Sequence, residues 1–386
     1  MKRLHTSAPG RICLFGEHQD YLGLPVIAMA VDLRFHIEFE PEAGRTFRIE
    51  TPDLPGSEAE EQDIHADAPR SDDDFCWGIG QVLLESGFRF ETGGRVIFRS
   101  GIPIRAGCSS SSAMSAAWMR MLLELGAHDQ KQILYDRPEL AAYLVYRGEK
   151  EKFAGAGGMM DQYSCYLGGL IHVYPETQGS SNDPAPTGDL TRLADSIPYG
   201  VERLPNAPEG FVLIDSGVPK DTQGVLSTVG NRARDAIAAM ERELTDFHLD
   251  RTELPEFDAA VSRAEGRLTP DQKRIARDHL INRDLCRRGL TMLRETVDET
   301  EMGTMLNEEH RVLSATLGIS TPRIDALQQT SLRAGARGAK INGSGGGGTL
   351  FCYAPGEVEA VSRALEQAEV RYFPVHAAPG ARVDEL

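Results

Sequence analysis

The stretch INGSGGGGTLFCY, residues 341–353, places five glycines in the six positions 343–348. It contains the spacing G-x-G-x-x-G, which in a dinucleotide-binding fold closes a strand and opens a helix. Here TLFCY follows, a run with strand character, so the glycines join two strands and the context excludes a Rossmann fold. A plain hairpin turn needs only one or two glycines. Because each glycine costs conformational entropy, this density predicts that something packs against bare backbone, and a phosphate or adenine group is the natural neighbour. Gly345 and Gly346 are the candidate contacts.

Upstream, GCSSSSAMSAAWMRMLLELG (107–126) runs from a serine-rich turn into a segment that is apolar nearly all round. Its only charges, Arg120 and Glu124, stand four apart, and Gly126 supplies a stop. The pattern is that of a buried helix. A strand (GRVIFRSGIPI) precedes it, so the junction aims free N–H groups and the positive helix end at one point, which is a phosphate site. Gly107 and Ser109–Ser112 (Ser109, Ser110, Ser111, Ser112) are its candidate residues. Neither the Walker loop GxxxxGK[ST] nor the nucleophile elbow GxSxG is present.

Near the N-terminus, RICLF and VIAMAVDLRFHIEF read as two strands around the turn GEHQDYLGLP, which gathers Glu17, His18 and Asp20. Several acceptors and a donor on one tight turn suit a polyol. Between Asp53 and Asp74 nine acidic residues accompany one basic residue, which predicts a solvated insert. Further along lie a second, more polar helix (138–153), the segment GAGGMMDQYSCYLGG, and a strand LIHVY. A Pro/Gly/Ser/Asp-rich stretch (175–190) predicts a loop and a domain boundary, giving domains 1–190 and 191–386. The strand GFVLIDSG and several amphipathic helices between about 221 and 335 complete the pattern. In GGMMDQY the glycines break the chain, so Asp161 falls in the first turn of a new helix, whose dipole favours the ionised carboxylate of a proton acceptor.

The net charge of −17 without a basic run excludes nucleic acid as a partner. No apolar signal core opens the chain, and no stretch has the roughly 18 apolar residues of a membrane span, so no membrane role is expected. Six scattered cysteines read as reduced thiols of a cytoplasmic protein.

SAPGRICLFGEHQDYLG (7–23), GIPIRAGCSSSSAMSAA (101–117) and GARGAKINGSGGGGTLFCY (335–353) resemble, in order and spacing, the three signature motifs of the GHMP kinases. Within that family GGMMDQY and MLNEEHRVLSATLGISTPRIDAL are similar to galactokinase segments. The resemblance implies an α+β, two-domain fold. Its N-terminal domain would be like ribosomal protein S5 domain 2 and its C-terminal domain ferredoxin-like, with ATP and acceptor meeting between them. It further implies Asp161 as base with Arg11 beside it. Glu17, His18, Asp20 and Gly158 would contact a sugar, and Mg²⁺ would be held by Ser110 or Ser111 and by Glu149 or Glu151, with Glu149 preferred. A monomer or small homo-oligomer acting on a small-molecule sugar is expected.

The chain also departs from galactokinases: Cys13 replaces a polar residue, Leu22 an asparagine, Arg105 a smaller residue, and no tyrosine follows VLIDSG. An arabinose-like sugar or a uronic acid therefore stays open beside galactose, with Arg105 or Lys220 as counter-charge for a uronate. A mevalonate-type alcohol, which Asp20 opposes, and a catalytically silent ATP/sugar sensor, which retention of Arg11 and Asp161 opposes, are the rival readings.

Overall fold

The structure is a computed structural model that describes residues 2–54, 56–103, 107–155, 157–176, 188–219, 222–264 and 266–384. Arg105, Lys220 and most of the 175–190 stretch lie outside these described residues.

The two N-terminal runs form the long antiparallel pair β1 (Leu4–Phe15) and β2 (Val26–Glu42). Their register shifts between Pro9 and Gly10 and again between Cys13 and Phe15. Such bulges bend a strand and re-aim its side chains, and here they flank Arg11. On β2 the ladder continues through β5 (Gly93–Ser100) to β3 (Phe47–Glu50) and β4 (Glu60–Gln62). On its other half β2 pairs with β6 (Leu170–Pro175), which pairs with β7 (Tyr199–Arg203). The chain's end returns as β12 (Arg382–Asp384) against β1. Both β7 and β12 lie beyond residue 190, so this sheet draws on chain from either side of the composition boundary.

The apolar serine-loop segment is the helix Ser110–Leu125, packed on β1 and β2. Trp118 is wholly buried in this layer, with ring contacts to Phe47 at 5.1 Å and Phe98 at 6.1 Å. Its indole N–H donates to the Cys76 carbonyl at 3.0 Å, which satisfies the one polar atom it takes inside. Helices Phe75–Glu85, Pro138–Glu149 and Met160–Leu167 complete the layer.

The acidic stretch is not simply solvated. Gln62 and Ile64 are buried, and Asp74 caps the helix Phe75–Glu85, accepting from the Trp77 N–H at 3.1 Å. Composition marked the exposed carboxylates correctly but could not reveal a cap, because a lone Asp before an apolar run is hidden among its neighbours.

A second, antiparallel sheet has the order β11 (Tyr372–Val375), β8 (Phe211–Asp215), β10 (Thr349–Tyr353), β9 (Gly338–Asn342). Helices Pro322–Arg333 and Val358–Gln367 pack on it in a ferredoxin-like layer. The glycine loop joins β9 to β10, two strands, as the sequence context required. Helices Thr222–Glu243, Leu254–Arg263 and Pro270–Arg294 share a separate apolar cluster with Leu24. Among the described residues no helix is long and apolar enough to cross a membrane. All six cysteines are buried free thiols.

Candidate active site

Strand β1 supplies the first wall. A Cβ on Gly10 would lie 2.8 Å from the Cys108 carbonyl oxygen, so only glycine lets β1 press against the serine loop. The Arg11 N–H donates to that same oxygen at 3.3 Å. Arg11 itself is buried, with Nε and Nη2 each 2.7 Å from Asp161 Oδ1, while Nη1 donates to the Gly107 carbonyl at 2.7 Å. One guanidinium thus joins β1, the serine loop and the helix Met160–Leu167.

Asp161 occupies the first turn of that helix and keeps 32% of its side chain exposed toward the cleft. Burial works to raise its pKa, but Arg11 and then Lys150 outweigh it and hold the carboxylate below its usual range. Arg11 is held charged in turn, since Asp161 and Glu17 overcome the burial that would lower it.

The turn after β1 brings the polyol candidates together. Glu17 Oε2 accepts from the Gly343 N–H at 2.8 Å. His18 adopts a left-handed backbone (φ 61°), uncommon for a non-glycine residue. Its ring nitrogens lie 3.2 Å from the Tyr21 hydroxyl and 3.1 Å from the Ser344 carbonyl oxygen. Asp20 accepts from the Tyr21 N–H at 2.9 Å and the Met160 N–H at 3.4 Å. Its carboxyl lies over Gly158, where a Cβ would come within 2.1 Å of Cγ and Oδ2. What Gly158 provides is room for Asp20. Burial, and then the charge of Asp161, push Asp20 up to about 6.

The support behind this turn was missed by sequence reasoning. Glu309 Oε1 accepts from the N–H groups of Gly16 and Glu17, each at 3.0 Å, and from Lys340 Nζ at 3.1 Å. Lys340 also donates to the Cys13 carbonyl at 2.9 Å and lies 3.9 Å from Glu17 Oε2. Both members of the Lys340–Glu309 pair are wholly buried. Burial would lower the Lys340 pKa, but Glu309 foremost keeps it charged. Asn282 holds the Glu17 carbonyl at 2.9 Å, and Asn342 bridges Cys13 N–H and the Gly107 carbonyl. The available signal was the lone lysine inside AKIN, a strand buried at every position.

At the opposite end Ser109 has the left-handed conformation (φ 58°, ψ 41°) that turns the chain into the helix Ser110–Leu125. Ser109, Ser110 and Ser111 line the cavity. Ser112 does not: it is buried and donates to Glu149 Oε1 at 3.0 Å. Gln162 Nε2 donates to the other Glu149 oxygen at 3.0 Å. Glu149 lines the cavity whereas Glu151 points away and pairs with Arg147 at 3.0 Å, which separates the two candidates left open by the sequence. In the glycine loop Gly343 and Ser344 reach the cavity. Gly345 and Gly346 are not among its lining residues, and added Cβ atoms there would meet Ile319 at 2.5 Å and Val225 at 2.8 Å. Bare backbone at these two positions is explained by packing against the protein itself.

The cavity has a volume of about 220 Å³ and contains Arg11, Asp161, Asp20, Glu17, Glu149 and Lys150. A wider groove of about 1100 Å³ runs between Pro205–Phe211 and Pro355–Arg363, but its charged groups, such as the Arg363–Glu359 pair, are exposed to solvent rather than buried against one another. Among the described residues the one His/Cys/Asp/Glu trio close enough to share an ion is His5, His36 and Asp384, on β1, β2 and β12. The cavity holds no such trio among the described residues; of its four carboxylates, Glu149 is the one tied to the helix that the serine loop opens, through Ser112. A site without such a cluster fits a Mg²⁺ ion held mainly by phosphates and water.

Residues 2–41 match the galactokinase galactose-binding signature, residues 76–169 the GHMP kinases N terminal domain and residues 293–371 the GHMP kinases C terminal domain. The chain is 27% identical over 375 residues to the mevalonate kinase of Thermococcus sibiricus, covering 95% of this chain and 93% of that protein. To the galactokinase of Glaesserella parasuis it is 23% identical over 382 residues, covering 93% and 88% respectively. The crystal structure of Lactococcus lactis galactokinase complexed with galactose superposes with a TM-score of 0.77 at 18% identity, covering 99% of this chain and 95% of the other. At that identity the likeness carries the fold alone. The three matched regions together span more than half of the chain and contain Arg11, Ser110, Asp161 and Lys340, and the chain belongs to the GHMP kinases, a family that uses ATP.

Proposed function

We propose that this kinase phosphorylates the anomeric hydroxyl of a galactose-like aldose. The observation that carries the reading is the arrangement of Asp20 on Gly158 beside Asp161 in one cavity, with Glu17 and His18 on the same turn. Hydroxyl-rich ligands need a partner for each group; Glu17 and Asp20 offer several acceptors on one turn, and His18 holds the Tyr21 hydroxyl beside them in the same cavity. Asp161 accepts the proton of the attacking hydroxyl, and Arg11 keeps it ionised for that role. The same guanidinium faces negative charge developing on the group in transfer. Mg·ATP, when bound, supplies the phosphoryl group, with Ser110, Ser111 and the helix N–H groups toward its phosphates and Glu149 toward the metal.

A mevalonate-type alcohol is the second reading, favoured by the 27% identity to an archaeal mevalonate kinase. Product analysis separates the two. Incubation with ATP and a panel of aldoses, a uronate and mevalonate is expected to place phosphate on C1 of an aldose. Phosphate on a primary hydroxyl or on mevalonate would overturn the reading. Asp161→Asn should lower turnover by about 10²- to 10⁴-fold while nucleotide affinity persists. Near-normal turnover would remove Asp161 from the role of base.

A further inference from the structure

The run Glu149-Lys150-Glu151-Lys152 ends the helix Pro138–Glu149 and enters a 3-10 turn. Its four charges divide between two sides. Glu151 pairs with Arg147, and Lys152 with Glu85, both away from the cavity. Glu149 and Lys150 line the cavity.

The backbone holds Lys150 there. Its carbonyl accepts from the N–H groups of Phe153 at 3.3 Å and Gly155 at 2.9 Å. A Cβ on Gly155 would sit 3.4 Å from Lys150 Cδ, so the chain folds closely around the lysine stem. No ion pair joins its ammonium to a carboxylate among the described residues, although the neighbouring cations Arg147 and Lys152 are both paired.

Charge in the cavity explains what such a cation is for. Four carboxylates line it: Glu17, Asp20, Glu149 and Asp161. Arg11 is engaged by Asp161, and Lys340 sits behind Glu17. The serine loop carries no Lys or Arg between Gly107 and Ser112. Its helix end provides only about half a positive charge, against a polyphosphate approaching four carboxylates.

We propose that Lys150 is the cation the serine loop lacks: its ammonium binds the terminal phosphate of the nucleotide and neutralises the group in transfer. The phosphate side is its place because the cavity carboxylates whose charge it offsets are Glu149, tied to the serine-loop helix through Ser112, and Asp161, while Asp20 is bound by the Tyr21 and Met160 N–H groups. The inference rests on the phosphotransfer reading but not on the identity of the acceptor.

The test is calorimetric titration of wild type, Lys150→Met and Lys150→Arg with Mg²⁺ and either ADP or a non-hydrolysable ATP analogue, without acceptor. Lys150→Met is expected to weaken the analogue by about 10- to 100-fold, the range for a charged hydrogen bond, and to leave ADP within about 3-fold. Lys150→Arg should restore most of the analogue affinity. The acid limb of the pH–rate profile of Lys150→Met should also move to higher pH, because Asp161 loses a neighbouring cation.

Equal losses for ADP and the analogue would indicate a structural role and overturn the proposal, as would an unchanged analogue affinity. In rate measurements of the same variants across the acceptor panel, a defect confined to acidic sugars would overturn it too, assigning Lys150 to the acceptor. Lys150→Gln, compared by thermal melting, separates loss of fold from loss of charge. Failure of the sugar reading alone would appear in the acceptor panel and not in these titrations.

Discussion

At the proposed acceptor end of the cavity, Glu17, His18 and Asp20 ride on a turn braced by Asn282, Glu309 and Lys340, residues far away in the chain. At the proposed phosphate end, residues 107–112 depend on the helix they begin and on one guanidinium from β1. The acceptor end positions charged side chains, and each buried charge needs a partner. The phosphate end presents backbone N–H groups, whose positions follow from the chain's own turn. In the proposed reading, recognition of hydroxyls would rely on long-range assembly, whereas recognition of phosphate would be built largely from one continuous segment.

The largest expected effect tests the bracing. Lys340→Met leaves Glu309 and Glu17 buried without their cation, which should cost about 3–5 kcal/mol of stability. Urea unfolding measures it, and adding Glu309→Gln should recover part of the loss. A cost under about 1 kcal/mol would mean that the acceptor turn stands without its distant ion pair, and the contrast between the two ends would collapse.

A smaller effect is expected at the phosphate end. Ser110→Ala with Ser111→Ala should weaken Mg·ATP analogue binding by about 10-fold, at roughly 1 kcal/mol for hydroxyl contacts, and leave sugar affinity and melting temperature nearly unchanged. Equal weakening of sugar binding would show that the two ends are not separable.

The smallest effect has the opposite sign. In the folded state Asp20 lies at about 6, above its ordinary value of 3.8. The folded protein then binds more protons than the unfolded chain between those values, so Asp20 costs stability as pH rises through that window. Asp20→Asn should weaken sugar binding yet raise the stability above pH 6 by on the order of 1 kcal/mol, a gain that vanishes below about pH 4. Melting curves at pH 4 and pH 7.5 read the difference. A gain of equal size at both values would assign the effect to packing rather than charge.

The candidate site was legible to different depths at different residues. Arg11 and Asp161 were named from motif and helix position, and the structure brings them to 2.7 Å. The gathering of Glu17, His18 and Asp20 on one turn could be read from adjacency. Ser112, Gly345 and Gly346 looked equivalent to their neighbours in serine and glycine runs, but only some members of each run face the cavity. A run of identical residues carries no information about direction. Lys150 was hidden for a related reason, since alternating charges at a helix end ordinarily form a solvated surface.

The sequence by itself determined the strand–turn–strand start, the loop that opens a buried helix, the glycine connection between two strands and the helix-terminal place of Asp161. Each is a local matter of backbone preference and hydrophobic period, settled within a dozen or so residues. Only the tertiary structure decided that Glu149 rather than Glu151 enters the cavity, that Lys340 and Glu309 brace the acceptor turn, and that β7 and β12 join the first sheet. Those outcomes turn on which groups become partners for buried charges and unpaired strand edges, and the partners come from chain segments that only folding brings together.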